Sequence, residues 1–143
     1  MTLEEKIAQI RHIHSWNIFE EQELNKSKLQ EFVGDLCWGF VEGFPLTGEN
    51  CHRHMRHIQE YMLNHTRLGI PIFTVAEALH GSVHEGSTIY PQNIALASTF
   101  NPELAYLRAT EISKELHYQG INQILAPCID VVRDLRWGRI EES

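Results

Sequence analysis

Two short stretches of the 143-residue sequence carry side chains whose types and spacing suit chemistry. The first is Ala76-Glu77-Ala78-Leu79-His80-Gly81, where an acid and an imidazole follow the apolar run Ile70-Pro71-Ile72-Phe73-Thr74-Val75. The second runs from Cys128 to Arg139. It begins with Asp130, ends on Arg133, Asp134, Arg136, Trp137 and Arg139, and follows the apolar run Ile121 to Pro127. Carboxylates, a guanidinium fork and an indole suit a sugar. Acids and Arg hydrogen-bond vicinal hydroxyls, and an aromatic face covers the apolar side of the ring. Each group also has a plainer reading: Glu77 as a helix cap, the arginines and Asp134 as an ion-paired turn, Trp137 as packing. Taken only as acids ending adjacent strands, Glu77 and Asp130 would be candidates for a catalytic pair.

Other chemistries fit less well. His80 and His84 have Gly81 between them and no clear third ligand, so a zinc site is not expected. His52, His54 and His57 stand at offsets that do not share one helix face and read as a polar helix surface. The three cysteines (Cys37, Cys51, Cys128) are widely spaced without a CxxC, which argues against a disulfide framework or a thiolate zinc site and for buried thiols. Phosphate-loop patterns are absent, and no cofactor is implied. Asn64-His65-Thr66 matches a glycosylation sequon, a pattern common by chance, at the end of a predicted helix.

Composition narrows the partners. A net charge of -7, from 12 Lys and Arg against 19 Asp and Glu, is the wrong sign for a general nucleic-acid binder. Apolar runs fall short of the roughly 18 residues a transmembrane helix needs, so no membrane partner is expected. The start, MTLEEKIAQI, lacks the features of a signal peptide, which implies a cytoplasmic protein or a leader outside this sequence. Fractions of 43% hydrophobic and 22% charged residues are those of a globular domain and fit disorder, collagen or coiled coil poorly.

The elements that must hold these groups are legible from pattern. Thr2 and Glu5 form a capping box, with Leu3, Ile7 and Ile10 giving an apolar helix face to about Ile13. Residues 14 to 26 read as loop, and Ser27 with Gln30 as the start of a short helix ending near Gly34. Leu36 to Val41 reads as a short buried strand, and Pro45 with Gly48 as a turn. The spacing of Met55, Ile58 and Met62 predicts a helix over about 49–66, broken by Gly69. Ile70 to Val75 and Ile121 to Pro127 are continuously apolar, as parallel strands buried on both faces are. Between them, residues 81–100 begin as loop and turn small and apolar at Ile94 to Ala97. Asn101-Pro102-Glu103 then starts a helix with Ala105, Ala109, Ile112 and Leu116 on its inner face, closed by Gly120. Strand, helix, strand at this recurrence means α/β with a parallel sheet, whose functional side chains gather at the carboxyl ends of strands.

Several of these segments together resemble glycoside hydrolase family 3, the β-glucosidase and β-xylosidase family. They are Met1-Thr2-Leu3-Glu4-Glu5-Lys6-Ile7, Arg67-Leu68-Gly69-Ile70-Pro71, Glu77-Ala78-Leu79-His80-Gly81, Tyr90-Pro91-Gln92, Ala126-Pro127-Cys128-Ile129-Asp130 and Arg133-Asp134-Leu135-Arg136-Trp137-Gly138-Arg139. Residues 14–50 resemble the family least. The resemblance implies the amino-terminal half of a TIM-type (β/α)8 barrel and retaining hydrolysis of terminal, non-reducing β-D-glucosyl or β-D-xylosyl residues. In the family the Asp nucleophile lies on a later barrel strand and the Glu acid/base usually in a second domain. Neither position exists in this chain, nor does the lysine–histidine sugar-binding pair that follows the arginine motif, so no catalytic residue is assigned and Glu77 and Asp130 are demoted from that role.

The resemblance carries over substrate binding. Glu77 matches an acid, more often Asp, that holds hydroxyls of the non-reducing-end sugar, and Arg139 matches the final Arg of RWGR that reaches the same sugar. Asp130 and Trp137 are secondary candidates on the same segment. Leu135 stands where the family usually has Pro. Because a (β/α)8 barrel takes about 250 residues, residues 1–143 are expected to be a partial barrel domain. The expected partners are a β-linked glycoside, the remainder of the barrel and a second domain. An open sheet edge and uncovered helix faces then predict self-association or a molten state for the piece alone. Family membership would also imply a periplasmic or secreted location. The rival readings are a non-catalytic sugar-binding or scaffold protein and, last, a metal-dependent hydrolase using the histidines.

Overall fold

The computed structural model describes residues 1–43 and 47–143. Helix α1 (Leu3–Ala8) leads into strand β1 (His12–His14) and a 3-10 turn over Ser15–Asn17. A small hairpin of β2 (Phe19–Glu20) and β3 (Glu23–Leu24) precedes helix α2 (Lys26–Val33) and strand β4 (Phe40–Glu42). Helix α3 (Gly48–His65), strand β5 (Phe73–Ala76), helices α4 (Asn93–Ala97) and α5 (Pro102–Tyr118) and strand β6 (Gln123–Ile124) follow, with a last 3-10 turn at Ile140–Glu142.

Strands β1, β4, β5 and β6 form one parallel sheet in that spatial order. Each crossover thus moves one place in the same direction, as in a barrel; a doubly wound sheet reverses its order part-way. The register aligns His14, Glu42, Val75 and Gln123 across the four strands. Side chains alternate between faces along each strand. Ile13, Val41, Thr74 and Ala76 lie on the face covered by helices and are buried. The other face carries His12, Phe40 and Phe73, whose rings meet edge-on at 5.3 Å and stacked at 5.6 Å, and it is open enough to leave Phe73 52% exposed.

Helix α3 supplies Met55, Ile58 and Met62 to the core, where they meet Ile13, Val41, Ile72, Leu116 and Ile121, so its expected inner face is observed. The capping box is present: the Thr2 hydroxyl accepts from the Glu5 N–H and the Glu5 carboxylate from the Thr2 N–H. Glu5 is buried and also accepts from Arg67 Nε at 2.5 Å. That bond, then the Thr2 N–H, hold its pKa at about 2 against the usual 4.5. A depressed carboxyl contributes stability that is fully present above the unfolded value and lost as pH falls through the folded one. Glu5→Gln is therefore expected to lower the melting temperature at pH 7, with the gap to wild type closing between pH 4.5 and about 2. Melting curves of the full-length protein across that range check this; a constant gap would contradict it.

Several expectations from pattern need correction. Leu3, Ile7 and Ile10 are exposed, because α1 ends at Ala8 and the chain turns into β1, so Ala8 and Ile13 reach the core instead. That turn packs tightly: a Cβ at Gly39 would overlap the Gln9 carbonyl, and the Gly39 N–H donates to the Ala8 carbonyl at 3.1 Å. Residues 14–26 hold the 3-10 turn and hairpin rather than loop alone. Asn25, not Ser27, caps α2 through its bond from the Lys28 N–H. The strand expected at Leu36 to Val41 lies at Phe40–Glu42, though Cys37 and Trp38 before it are buried.

The expected strand from Ile70 is confined to Phe73–Ala76, since earlier backbone groups bond elsewhere: the Ile70 N–H to Cys37 Sγ, the Ile72 N–H and carbonyl to the Gln59 amide. Ile94 to Ala97 falls in a short helix, and β6 covers only two residues of the run from Ile121. The Asn101 cap and Pro102 start are as expected, but Ala105 and Ala109 are exposed and only Ile112 and Leu116 of the expected face are buried. The core extends only under the later turns of α5. His54 is 1% exposed, so the three helix histidines are not all surface residues. Cys37 and Cys51 are buried, burial pushing the Cys51 thiol up to about 12, whereas Cys128 is half-buried. The turn expected at Pro45 lies outside the described residues, and Gly48 begins α3.

Candidate functional site

Parallel strands deliver the residues that follow them to one end of a sheet. Here that end receives His14 from β1, Glu42 from β4 and Glu77 immediately after β5. Arg139 and Glu142 arrive from the long segment beyond β6. Their charges act on the Glu77 pKa. Loss of solvent raises it most, the negative charges of Glu142 and Glu42 raise it further, and the positive charge of Arg139 opposes them. Three carboxylates and one guanidinium therefore share one electrostatic field.

Arg139 is held by Glu142. Its Nε and Nη2 donate to the two carboxylate oxygens, each at 2.5 Å, across the last 3-10 turn. The hydrogen bond from Arg139 pulls the Glu142 carboxyl down, and the same bond pushes the guanidinium up. The fork keeps further N–H donors outside this pair. The turn is itself anchored: the Glu142 carbonyl accepts from Asn93 Nδ2 at 2.9 Å, and Asn93 Oδ1 accepts from Arg108 Nη2 at 2.6 Å. Helices α4 and α5 thus position the arginine.

The loop behind Glu77 is fixed to α5. At Gly81, with φ 128°, a side chain would run into the Thr88 carbonyl, and the Tyr90 N–H donates to the His80 carbonyl at 2.7 Å. Buried Ser82 and His84 bond each other at 2.7 Å and share Gln119 Oε1, while Gln119 Nε2 donates to Ser87 Oγ at 2.7 Å. Burial lowers the His84 pKa, which keeps the imidazole neutral in this network. His84 is thus a bonded interior residue, and His80 keeps a buried Nδ1 without a hydrogen-bond partner among the described residues.

The remaining candidates lie on the segment beyond β6. Asp130 is exposed and accepts from the Cys128 thiol at 3.1 Å. Asp134 and Arg136 form an exposed ion pair, as the plainer reading of this turn expected, with Arg136 Nε 2.9 Å from Asp134 Oδ1. The Trp137 N–H donates to the Asp134 carbonyl, and its indole is 38% exposed, without a ring stack among the described residues. The structure brings Glu77 and Arg139 together and ties Asp130 and Trp137 to partners of their own.

The sequence pattern alone does not single out Glu42, His12, His14, Trp16 and Glu142. Glu42 is approached on its two oxygens by His12 Nε2 at 3.5 Å and His14 Nε2 at 3.2 Å, and His14 stacks on Trp16. Alternation of His12 and His14 along a strand was the available signal for those. Glu142 is announced by its spacing of three from Arg139. Among the described residues no group of three or more His, Cys, Asp and Glu side chains is arranged to hold a metal ion. A cavity of about 680 Å³ opens beside α2 and α3, lined by Leu29, Tyr61 and His65, and includes none of the strand-end groups.

Residues 2–143 match the sequence model described as the glycosyl hydrolase family 3 N terminal domain. A putative beta-xylosidase of Formosa agariphila is 32% identical over 149 residues, covering 100% of this chain and 20% of the relative. The periplasmic beta-glucosidase of Salmonella typhimurium is 30% identical over 143 residues, covering 100% of this chain and 17% of its own. A solved b-glucosidase of Erythrobacter marinus superimposes with a TM-score of 0.87 at 28% identity, over 99% of this chain and 19% of that one. The chain spans about a fifth of the length of the relatives it matches. Its fold is the amino-terminal half of a TIM-type (β/α)8 barrel. No helix among the described residues is long and apolar enough to cross a membrane.

Proposed function

Since the chain belongs to glycoside hydrolase family 3, we propose that it is the sugar-binding part of a retaining β-glycosidase, acting on terminal non-reducing β-D-xylosyl or β-D-glucosyl residues. The observation that carries this reading is the placement of Glu77 and Arg139 in one field at the carboxyl end of the sheet. An ionised Glu77 accepts hydrogen bonds from two neighbouring hydroxyls, and the guanidinium donates to the same ring. Asp130 and Trp137 are secondary candidates for contact with the same substrate. A retaining mechanism needs two carboxylates, a nucleophile and an acid/base. Both come from the remainder of the barrel and a second domain, partners that also cover the apolar side chains left exposed here, such as Phe100, Ile129 and Leu135. The relatives' names support the substrate class, and the periplasmic relative supports a periplasmic or secreted location.

The full-length protein is expected to hydrolyse nitrophenyl β-xyloside or β-glucoside and to release the β-anomer first in proton NMR. Residues 1–143 alone should give no turnover. The α-anomer as first product, or purity-controlled activity from residues 1–143, would overturn the proposal. Saturable sugar binding without turnover by the full-length protein would replace it with a non-catalytic sugar-binding role.

A further inference from the structure

The turn that carries Arg139 and Glu142 has little hold of its own on the fold. Its internal hydrogen bonds are local: the Glu142 N–H donates to the Arg139 carbonyl and the Ser143 N–H to the Ile140 carbonyl, both at 3.2 Å. Among the described residues two hydrogen bonds reach beyond residues 139–143. One is the long pair of Cys128 Sγ and Ser143 Oγ at 3.9 Å, and the other runs from Asn93 Nδ2 to the Glu142 carbonyl at 2.9 Å. Asn93 is oriented in turn by Arg108, whose Nη2 donates to Asn93 Oδ1 at 2.6 Å and whose Nη1 donates to the Pro91 carbonyl at 2.9 Å. An amide whose oxygen is committed to a cation has its N–H group aimed the other way, and the pull on the oxygen makes that N–H a better donor. Packing alone gives no reason for an arginine here. Arg108 is half-buried, its buried Nε has no partner, loss of solvent pushes its pKa down, and no carboxylate among the described residues pairs with it. Burying a cation without a counter-ion costs stability.

We propose that Arg108 and Asn93 are positioning residues for the sugar site, a relay from α5 through α4 to the last turn that aims the Arg139 guanidinium at the substrate. Neither touches the sugar; both act through the Glu142 carbonyl. This inference rests on the glycosidase reading and adds to it two residues outside the motifs through which the chain resembles its family. Asn93→Asp separates the relay from the fold. Asp keeps the Arg108 bond and supplies the missing counter-ion, and an acid in the first turn of a helix is favourable, but it has no N–H for the Glu142 carbonyl. Stability should hold while the aim of Arg139 is lost.

The test measures kcat/KM of the full-length protein on nitrophenyl β-xyloside or β-glucoside. Asn93→Asp should lower it about thirtyfold, with a melting temperature no lower than that of the wild type. Arg108→Met, which keeps an apolar stem, should lower it about fivefold and move the acid limb of the pH profile upward. Among the described residues the charges that act on Glu77 are those of Glu142, Arg139 and Glu42, and Arg108 is not one of them, so such a move reports a displaced Arg139. In an Arg139→Ala background both changes should cost less than about twofold, because the group they aim is gone. Equal losses with and without Arg139, or an Asn93→Asp protein that loses activity only with a lowered melting temperature, would make the pair structural and overturn the proposal. Full activity in both variants would overturn it too. If Arg139→Ala itself keeps the wild-type rate, or the wild-type protein turns over neither glycoside, the glycosidase reading of the site fails and takes this inference with it.

Discussion

Arg139→Ala in the full-length protein is expected to lower kcat/KM about a thousandfold, roughly 4 kcal/mol of transition-state stabilisation. Two effects add. The first is loss of a charged hydrogen bond to the sugar, and a bond to an ionised group is the strong kind. The second is loss of the cation that Glu142 and Glu77 share. With Arg139 gone, nothing named in that field opposes the raising of the Glu77 pKa. Binding requires an ionised Glu77, so the acid limb of the kcat/KM profile should move to higher pH. Arg139→Lys separates the two effects. It keeps a positive charge and should restore the acid limb, but it lacks the fork that pairs both Glu142 oxygens and should recover only part of the rate. A pH series of kcat/KM for wild type and both variants decides the matter. An unchanged rate, or a limb that stays in place in Arg139→Ala, would remove Arg139 from the sugar site.

Glu77→Gln should lower kcat/KM by about two to three orders of magnitude, because an amide supplies one acceptor where the carboxylate supplies two. Its effect on stability should run the other way. The folded Glu77 pKa is raised, first by loss of solvent and then by Glu142 and Glu42. A raised carboxyl contributes stability that is present below the unfolded pKa and lost as pH rises through the folded one. Gln does not titrate and escapes that loss. The melting temperature of Glu77→Gln relative to wild type should therefore increase from pH 4 to pH 8 while activity collapses. A site that costs stability to hold its charge behaves in this way. A parallel fall in stability and activity at pH 8 would instead mark Glu77 as a structural cap.

The site was partly legible before any fold was known. Glu77 and Arg139 could be picked out because each follows an apolar strand run and sits in a motif of the family. Glu42 could not, since a lone acid after Phe40-Val41 carries no signal until β4 is seen between β1 and β5. His14 and Trp16 were hidden for a similar reason. The stretch from 14 to 26 has no period of its own, and its 3-10 turn and hairpin are fastened by distant partners such as the Gly43 carbonyl. Strand limits were also misjudged wherever side chains outbid the ladder, as Gln59 does for the Ile72 backbone.

By itself the sequence determined the fold class and several of the local elements. The Thr2 and Asn101 caps, the inner face of α3 and the apolar strand runs depend on neighbours within a few turns. The tertiary structure alone decided which charges meet. The parallel order of β1, β4, β5 and β6 brings residues 14, 42, 77, 139 and 142 to one end of one sheet. Electrostatic coupling depends on distance in space, which chain separation does not disclose. For the same reason the shared field around Glu77 and the stack of Trp16 on His14 emerged only once the strands were side by side.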